Sequence, residues 1–181
     1  MLPDINPDKM ENSFLRSAIK RLEFYKDLGD KTFTQLSEQD FHFIPAEESN
    51  SIAVIIQHLH GNMLSRWTDF LTSDGEKEWR GRDAEFEDQD FNKDELLKLW
   101  EEGWNCLLHS LQRLKDDDLT KTIYIRTEPL KVVDAIIRQL AHYPYHVGQI
   151  IYIGKLLKKN DWQNLSIKKG ESTAFNNKMK R

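Results

Sequence analysis

Two stretches of this 181-residue chain, Ser51 to Ser65 and Gln139 to Gly154, contain no aspartate, glutamate, lysine or arginine, although those residues make up 31% of the whole. Each is about four helical turns long, and an α-helix without charge over that length is packed on most of its sides. The chain therefore has to bury two helices deeply and arrange the rest around them. Eight glycines and five prolines leave few breakpoints for the many turns of an all-β chain, so helices are the expected material.

Four segments carry helical signals. The first opens at Asn6-Pro7, a capping residue followed by a proline suited to a first helical position, and runs to Gly29 with Met10, Phe14, Ala18, Leu22 and Tyr25 along one side. The second follows Ser49-Asn50-Ser51, continues to about Thr72 and stops at Asp74-Gly75. The third is announced by Asn92 with Glu95 three residues on, carries Leu96, Trp100, Trp104, Leu107, Leu111 and Leu114 as a core stripe, and ends at Asp116-Asp117-Asp118. Thr122 to Arg126 reads as a short strand or extended connector, after which Pro129 opens a fourth helix reaching about Leu157.

These signals predict an all-α fold, a four-helix bundle, with a long link between helices 2 and 3 and a short extended segment before helix 4. Residues 1–165 form a single domain, and 166–181 are a solvated basic tail containing Lys168, Lys169, Lys178, Lys180 and Arg181. The link from Asp74 to Asp90 is longer than an ordinary connection, hence a lid or a crossover, with Trp79 and Phe86 as its apolar anchors. Asp69, Asp74, Arg80, Arg82 and Asp83 are expected to knit it into a charge network near the mouth of the bundle.

Several function classes are disfavoured. A net charge of −4 argues against a general affinity for phosphate backbones, and no apolar run approaches the length of a membrane span. A single cysteine, Cys106, excludes an internal disulfide framework, and the N-terminus lacks the pattern of a secretion signal, so a cytoplasmic setting is expected. Cys106 lies off the third helix's main stripe with no base at a neighbouring helical position and reads as a partly buried structural thiol.

Four of the six histidines, His58, His60, His142 and His146, fall inside the two uncharged stretches. Rings in apolar surroundings cost free energy unless their nitrogens find partners. His142 and His146 are four residues apart, which stacks both imidazoles on one helical face at a spacing that lets them share one metal ion. Pro144 between them is expected to bend the helix where the rings project. The apolar stripe through Val133, Ile137, Leu140, Val147 and Ile151 and a second line through Ile150, Ile153 and Leu157 suggest that both faces of this helix are buried, one of them in a homodimer. A third ligand would come from His58 or His60, which point about 160° apart and which periodicity hardly separates. Three neutral imidazoles would leave one coordination position for water or substrate, as in catalytic zinc sites. The alternative is a pair of core histidines bonded to backbone or to tyrosines such as Tyr143 and Tyr145.

The strings IIQHLHGNMLSRWTDFLTSDGEKEWRGRDAEFE from Ile55 to Glu87, LWEEGW from Leu99 to Trp104, RQLAHYPYHVGQIIYIGKLL from Arg138 to Leu157 and LSIKKGEST from Leu165 to Thr173 resemble the DinB/YfiT-like superfamily of four-helix metalloenzymes, and within it a branch of unknown function. The resemblance implies that the histidine followed by leucine in the second helix joins the pair in the last. That selects His58, His142 and His146 as metal ligands and leaves His60 a non-ligand. It implies a divalent cation, zinc or nickel. Some members are similar to transferases that join a low-molecular-weight thiol such as bacillithiol or mycothiol to a substrate.

The expected function is thus an intracellular divalent-metal-binding protein, a metal-dependent enzyme of thiol S-transferase or hydrolase type acting on a small molecule. The alternative is a non-catalytic, stress-associated or dimer-forming bundle with a structural metal or none. Asn62, Ser65 and Arg66 follow His58 on the same side of its helix and are expected to orient a bound water or an anion, or, for Arg66, to pair with the acidic link. His42 and His109 are read as structural and solvent-facing, respectively, and no carboxylate is singled out as a general base.

Overall fold

The computed structural model describes residues 7–179, with side chains from Phe14 onward. Asn6, the side chain of Met10 and the tail residues Lys180 and Arg181 lie outside the described residues. The fold is mostly helical with one small sheet: α1 Pro7–Phe33, α2 Glu38–Phe41, α3 Ile52–Trp67, α4 Lys93–Gln112, β1 Thr122–Ile125, β2 Glu128–Lys131, α5 Val132–Lys158 and α6 Ser172–Met179. No described helix is long and apolar enough to cross a membrane.

The four long helices coincide with the four predicted segments, and their starts follow from capping chemistry. Ser51 Oγ accepts the amide of Val54 (3.2 Å) at the head of α3. Asn92 and Glu95 exchange side-chain and backbone bonds (3.0 and 2.9 Å) at the head of α4. Each arrangement satisfies amides that the first helical turn leaves without partners.

Other boundaries depart from the sequence expectation. Helix α1 passes through Gly29 to Phe33 because that glycine marks a close approach rather than an end: a Cβ there would run into the Trp100 ring of α4. Helix α3 stops at Trp67 instead of about Thr72, where Thr68 turns extended and Asp69 takes a positive φ of 49°. Pro129 does not open α5. It sits in β2 opposite Tyr124, as the second arm of an antiparallel hairpin whose two-residue turn, Arg126-Thr127, has both φ values positive (54° and 64°). That is the backbone a two-residue hairpin turn requires, formed here without the glycine or asparagine that would advertise it. Two short helices, α2 and α6, were also not expected.

Helix α3 packs against α4 and α5, and α1 packs against α5 and α4. Between them lies a core whose largest buried members are Trp100, Trp104, Tyr143, Phe41, Leu22, Ile52 and Ile56. The tryptophans are core, as predicted, with ring centroids 5.3 Å apart. Helix α5 runs without a break through Pro144.

The long link after α3 is fastened rather than free. Ser65 Oγ donates to the Gly75 carbonyl (2.7 Å) and accepts the Lys77 amide (3.2 Å), and the Gly75 amide donates to the Tyr124 carbonyl (2.8 Å). The Asp74 carboxylate accepts the amides of Arg126 and Thr127 at the hairpin tip (2.9 and 2.7 Å). The link then forms a 3-10 turn over Asp83–Phe86 that lies against α3. Of the two proposed anchors, Phe86 stacks on the His58 ring while itself 38% exposed, and Trp79 is 60% exposed.

Candidate metal centre

Helices α3 and α5 bring His58, His142 and His146 together. His142 Nε2 stands 3.4 Å from His58 Nε2 and 3.1 Å from His146 Nε2, and one nitrogen of each ring lies within 4.8 Å of the other two. Around a tetrahedral ion with metal–nitrogen distances of about 2.0–2.1 Å, neighbouring nitrogens stand roughly 3.3–3.4 Å apart.

The opposite nitrogen of each ring is held by a side-chain oxygen. His58 Nδ1 faces Glu85 Oε2 (3.1 Å), His142 Nδ1 faces Gln139 Oε1 (3.3 Å) and His146 Nδ1 faces Gln149 Oε1 (2.9 Å). These oxygens only accept, so each Nδ1 carries a proton, and in a neutral ring the Nε2 lone pair is then left facing the same point. Neutral rings of this tautomer have no donor to offer one another there. Burial drives the His142 pKa down to about 3, with the neighbouring His146 and His58 adding to the effect, and burial takes His146 to about 4. Both therefore stay neutral at neutral pH. Three converging lone pairs in a half-buried site, each oriented from behind by an acceptor, make a donor set suited to a divalent cation.

Glu85 reaches His58 because of a gap in α3. Gly61 lies one turn beyond His58, and a Cβ there would collide with the Glu85 carboxylate. Arg80 holds that carboxylate from the other side through Nε (2.6 Å) and Nη2 (2.8 Å). Burial works to raise the pKa of Glu85, but hydrogen bonds from Arg80 and His58 outweigh it and leave the carboxylate below its ordinary value. Phe86 stacks on the His58 ring with centroids 4.8 Å apart. Gln57 fixes the same turn by donating to the Glu87 carbonyl (2.7 Å).

His60, also in α3, pairs with Glu102 of α4 (3.0 Å), away from the cluster. Asn62 Oδ1 accepts from the buried Tyr143 hydroxyl (3.1 Å), which in turn accepts from Trp67 Nε1 (3.0 Å). Ser65 and Arg66 serve the link: Arg66 donates to the Gly75 carbonyl and to Glu76 Oε2 (3.0 Å). Outside the site, His42 bonds Asp88 (2.7 Å) and the Phe91 carbonyl (3.1 Å), and the Asp88 bond raises its pKa. His109 is exposed. Cys106 is half-buried, and burial pushes its pKa up, the opposite of an activated thiolate.

Sequence reasoning missed the three residues behind the rings. Gln139 and Gln149 stand three positions from His142 and His146, so helical spacing held the signal. Glu85 is 27 positions from His58, and nothing local links the two. A cavity of about 370 Å³ opens beside the imidazoles, lined also by Asn62, Tyr145 and several arginines.

Comparison with known proteins adds a family and a fold. A family described as a protein of unknown function, DUF1572, matches residues 9–171. A solved structure described as the conserved protein of a locus from Enterococcus faecalis is similar in fold, with a TM-score of 0.60 at 15% identity over 78% of this chain and 95% of that one. No curated protein matches.

Proposed function

The chain belongs to the DUF1572 family of unknown function, and we propose that it is a divalent-metal-binding enzyme whose ligands are His58, His142 and His146. The observation that carries this reading is the convergence of three Nε2 atoms whose rings are each fixed from behind by Glu85, Gln139 or Gln149. Within the proposal the four long helices constitute a four-helix bundle of the DinB/YfiT-like type, and the ion is zinc or nickel.

A divalent cation held there supplies Lewis acidity, lowering the pKa of a thiol or water at its open position. The chain's own residues divide the remaining work. Glu85, Gln139 and Gln149 keep the three Nδ1 protons in place, so the ligand nitrogens stay free to bind. Arg80 keeps Glu85 ionised and pointed at His58. Phe86 covers one face of His58 and limits water there. Among the described residues no carboxylate lines the cavity, so the nucleophile, thiol or water, is activated by coordination alone. Transfer of a low-molecular-weight thiol is the reaction proposed first, with hydrolysis second.

A homodimer belongs to the same reading, since α5 exposes Ile137, Tyr145, Tyr152 and Leu156 in a ridge that a second copy would cover. The cytoplasm is the proposed location.

The test is purification without chelator or nickel resin, followed by elemental analysis and by assays of metal-loaded protein with bacillithiol plus an electrophile, then with simple esters and amides. About one ion per chain and metal-dependent turnover with the thiol are expected. A protein that neither retains nor takes up a divalent ion contradicts the centre. A loaded protein that turns over neither class contradicts the enzymatic role.

A further inference from the structure

The cavity beside the imidazoles has an unusual charge for a chain whose net charge is −4. Arg66, Arg80, Arg82, Arg126 and Arg138 all line it. Their acidic partners are two residues: Glu76, which meets Arg66 at 3.0 Å, Arg126 at 2.8 Å and Arg80 at 3.7 Å, and Glu85, which meets Arg80 at 2.6 Å. Five guanidinium groups against two carboxylates leave about three positive charges unbalanced in one concavity. Arg82 and Arg138 have no ion pair among the described residues, and Arg82 lies over the Phe86 ring at 5.6 Å from its centroid.

One of the five is deeply buried and incompletely satisfied. The Arg80 side chain is 2% exposed, and its Nη1, 3.7 Å from Glu76 Oε1 and so beyond hydrogen-bond reach, has no hydrogen-bond partner among the described residues. A buried guanidinium nitrogen without an acceptor costs free energy that only a further acceptor recovers. Like charges crowded around a half-enclosed space repel one another, and the same enclosure strengthens their attraction for an anion.

We propose that this cavity is an oxyanion seat: the arginines hold a carboxylate or phosphate-type group of a small-molecule substrate, while the substrate's reacting end faces the three Nε2 atoms. The planar, always-charged guanidinium suits both oxyanions, because its paired N–H groups match two oxygens at once. Arg82 and Arg138, unpaired and at the rim, supply the recruiting charge, and Arg80 supplies the floor. The role given to the reacting end rests on the metal reading above, but the seat itself belongs to the arginines and exists without the ion.

The experiment is calorimetric titration of the full chain, stripped of metal and dialysed, with phenylphosphonate and separately with succinate, at fixed pH and ionic strength. Saturable binding of at least one probe is expected, phosphonate alone indicating a phosphate-type ligand and succinate alone a carboxylate. Arg138→Gln and Arg82→Gln are both exposed positions and should each weaken binding about tenfold, the value of one charge-assisted hydrogen bond. Arg113→Gln, an exposed arginine outside the lining, should not change it. Binding of neither probe, or equal affinity in wild type and both rim variants, overturns the proposal. So does binding that appears only after zinc is added, because the anion then sits on the ion alone. Elemental analysis of the same samples keeps the two readings separate: probe binding without zinc uptake upholds the seat and contradicts the metal centre, and zinc uptake without arginine-dependent binding does the reverse.

Discussion

Helix α3 keeps its uncharged stretch inside the protein, buried without interruption from Ser51 to Leu59, whereas α5 buries only one side of its own. Along the uncharged stretch of α5 the buried positions are Gln139, Tyr143, His146, Val147, Ile150, Ile153 and Gly154, and between them Tyr145 is 62% and Tyr152 67% exposed. The same lack of charge thus has two causes. In α3 it reflects packing against α4, α5 and the link on every side. In α5 it marks the wall of a cavity and an aromatic ridge, where charge is excluded by a neighbouring site or surface rather than by a core. His58 comes from the more deeply buried helix and His142 and His146 from the half-buried one, and all three line the cavity.

The harshest way to break the comparison is to add a charge to each stretch. Ile56→Lys places an ammonium group at a position with no exposure and should cost about 4 kcal/mol or more, enough to leave little folded protein. Tyr152→Lys on α5 should change stability by less than about 0.5 kcal/mol in the monomer. Urea denaturation measures both, and similar losses would mean that α5 is as deeply packed as α3.

Next in size is the contrast between the two histidines of α3. His58→Ala should lower zinc affinity by more than about 100-fold, beyond the range of residues that only support a ligand, and His60→Ala should leave it unchanged. Competition titration against a chelating dye reads both. A smaller effect is expected from Gly61→Ala, which pushes the Glu85 carboxylate away from His58. Zinc affinity should fall about 10- to 100-fold while the helix itself is not weakened, since alanine favours helices more than glycine does.

A further contrast is the effect of acid on the metal-free protein. His142 and His146 have folded-state pKa values of about 3 and about 4, below the ordinary 6.5 or so of an unfolded chain, which therefore takes up protons first. Their contribution to stability is complete above about pH 6.5 and is lost as the pH falls toward 4 and then 3. Denaturation midpoints measured between pH 7 and pH 4 should decline across that window, and His146→Gln should flatten the decline.

How much of this the sequence disclosed depends on whether the signal was local. The four long helices were legible because caps, periodicity and sparse glycine act within a few residues, as Ser51 and Asn92 show. The histidine pair on α5 was legible for the same reason, at a spacing of four. Periodicity did not separate His58 from His60, because the two flank the apolar stripe almost equally; the family resemblance favoured His58, and the neighbours, Glu85 for one and Glu102 for the other, part them in the fold. Pro129 and Gly29 misled where tertiary contacts overrode local preference: strand pairing claimed the proline, and the Trp100 ring claimed the space at the glycine. Of the apolar stripe along α5, Val147 lies in the core and Leu140 and Ile151 pack against it, but Ile137 is 51% exposed, while the second line is buried at Ile150 and Ile153. Periodicity cannot tell a core stripe from an exposed apolar ridge when neither carries charge.

X-ray absorption at the zinc edge of zinc-loaded protein should show three imidazole nitrogens and one further oxygen or nitrogen ligand at about 2.0–2.1 Å, with the imidazole multiple-scattering pattern reduced in His142→Ala. A shell of oxygens without that pattern, sulfur at about 2.3 Å, or a spectrum unchanged in the variant would contradict the three-histidine centre.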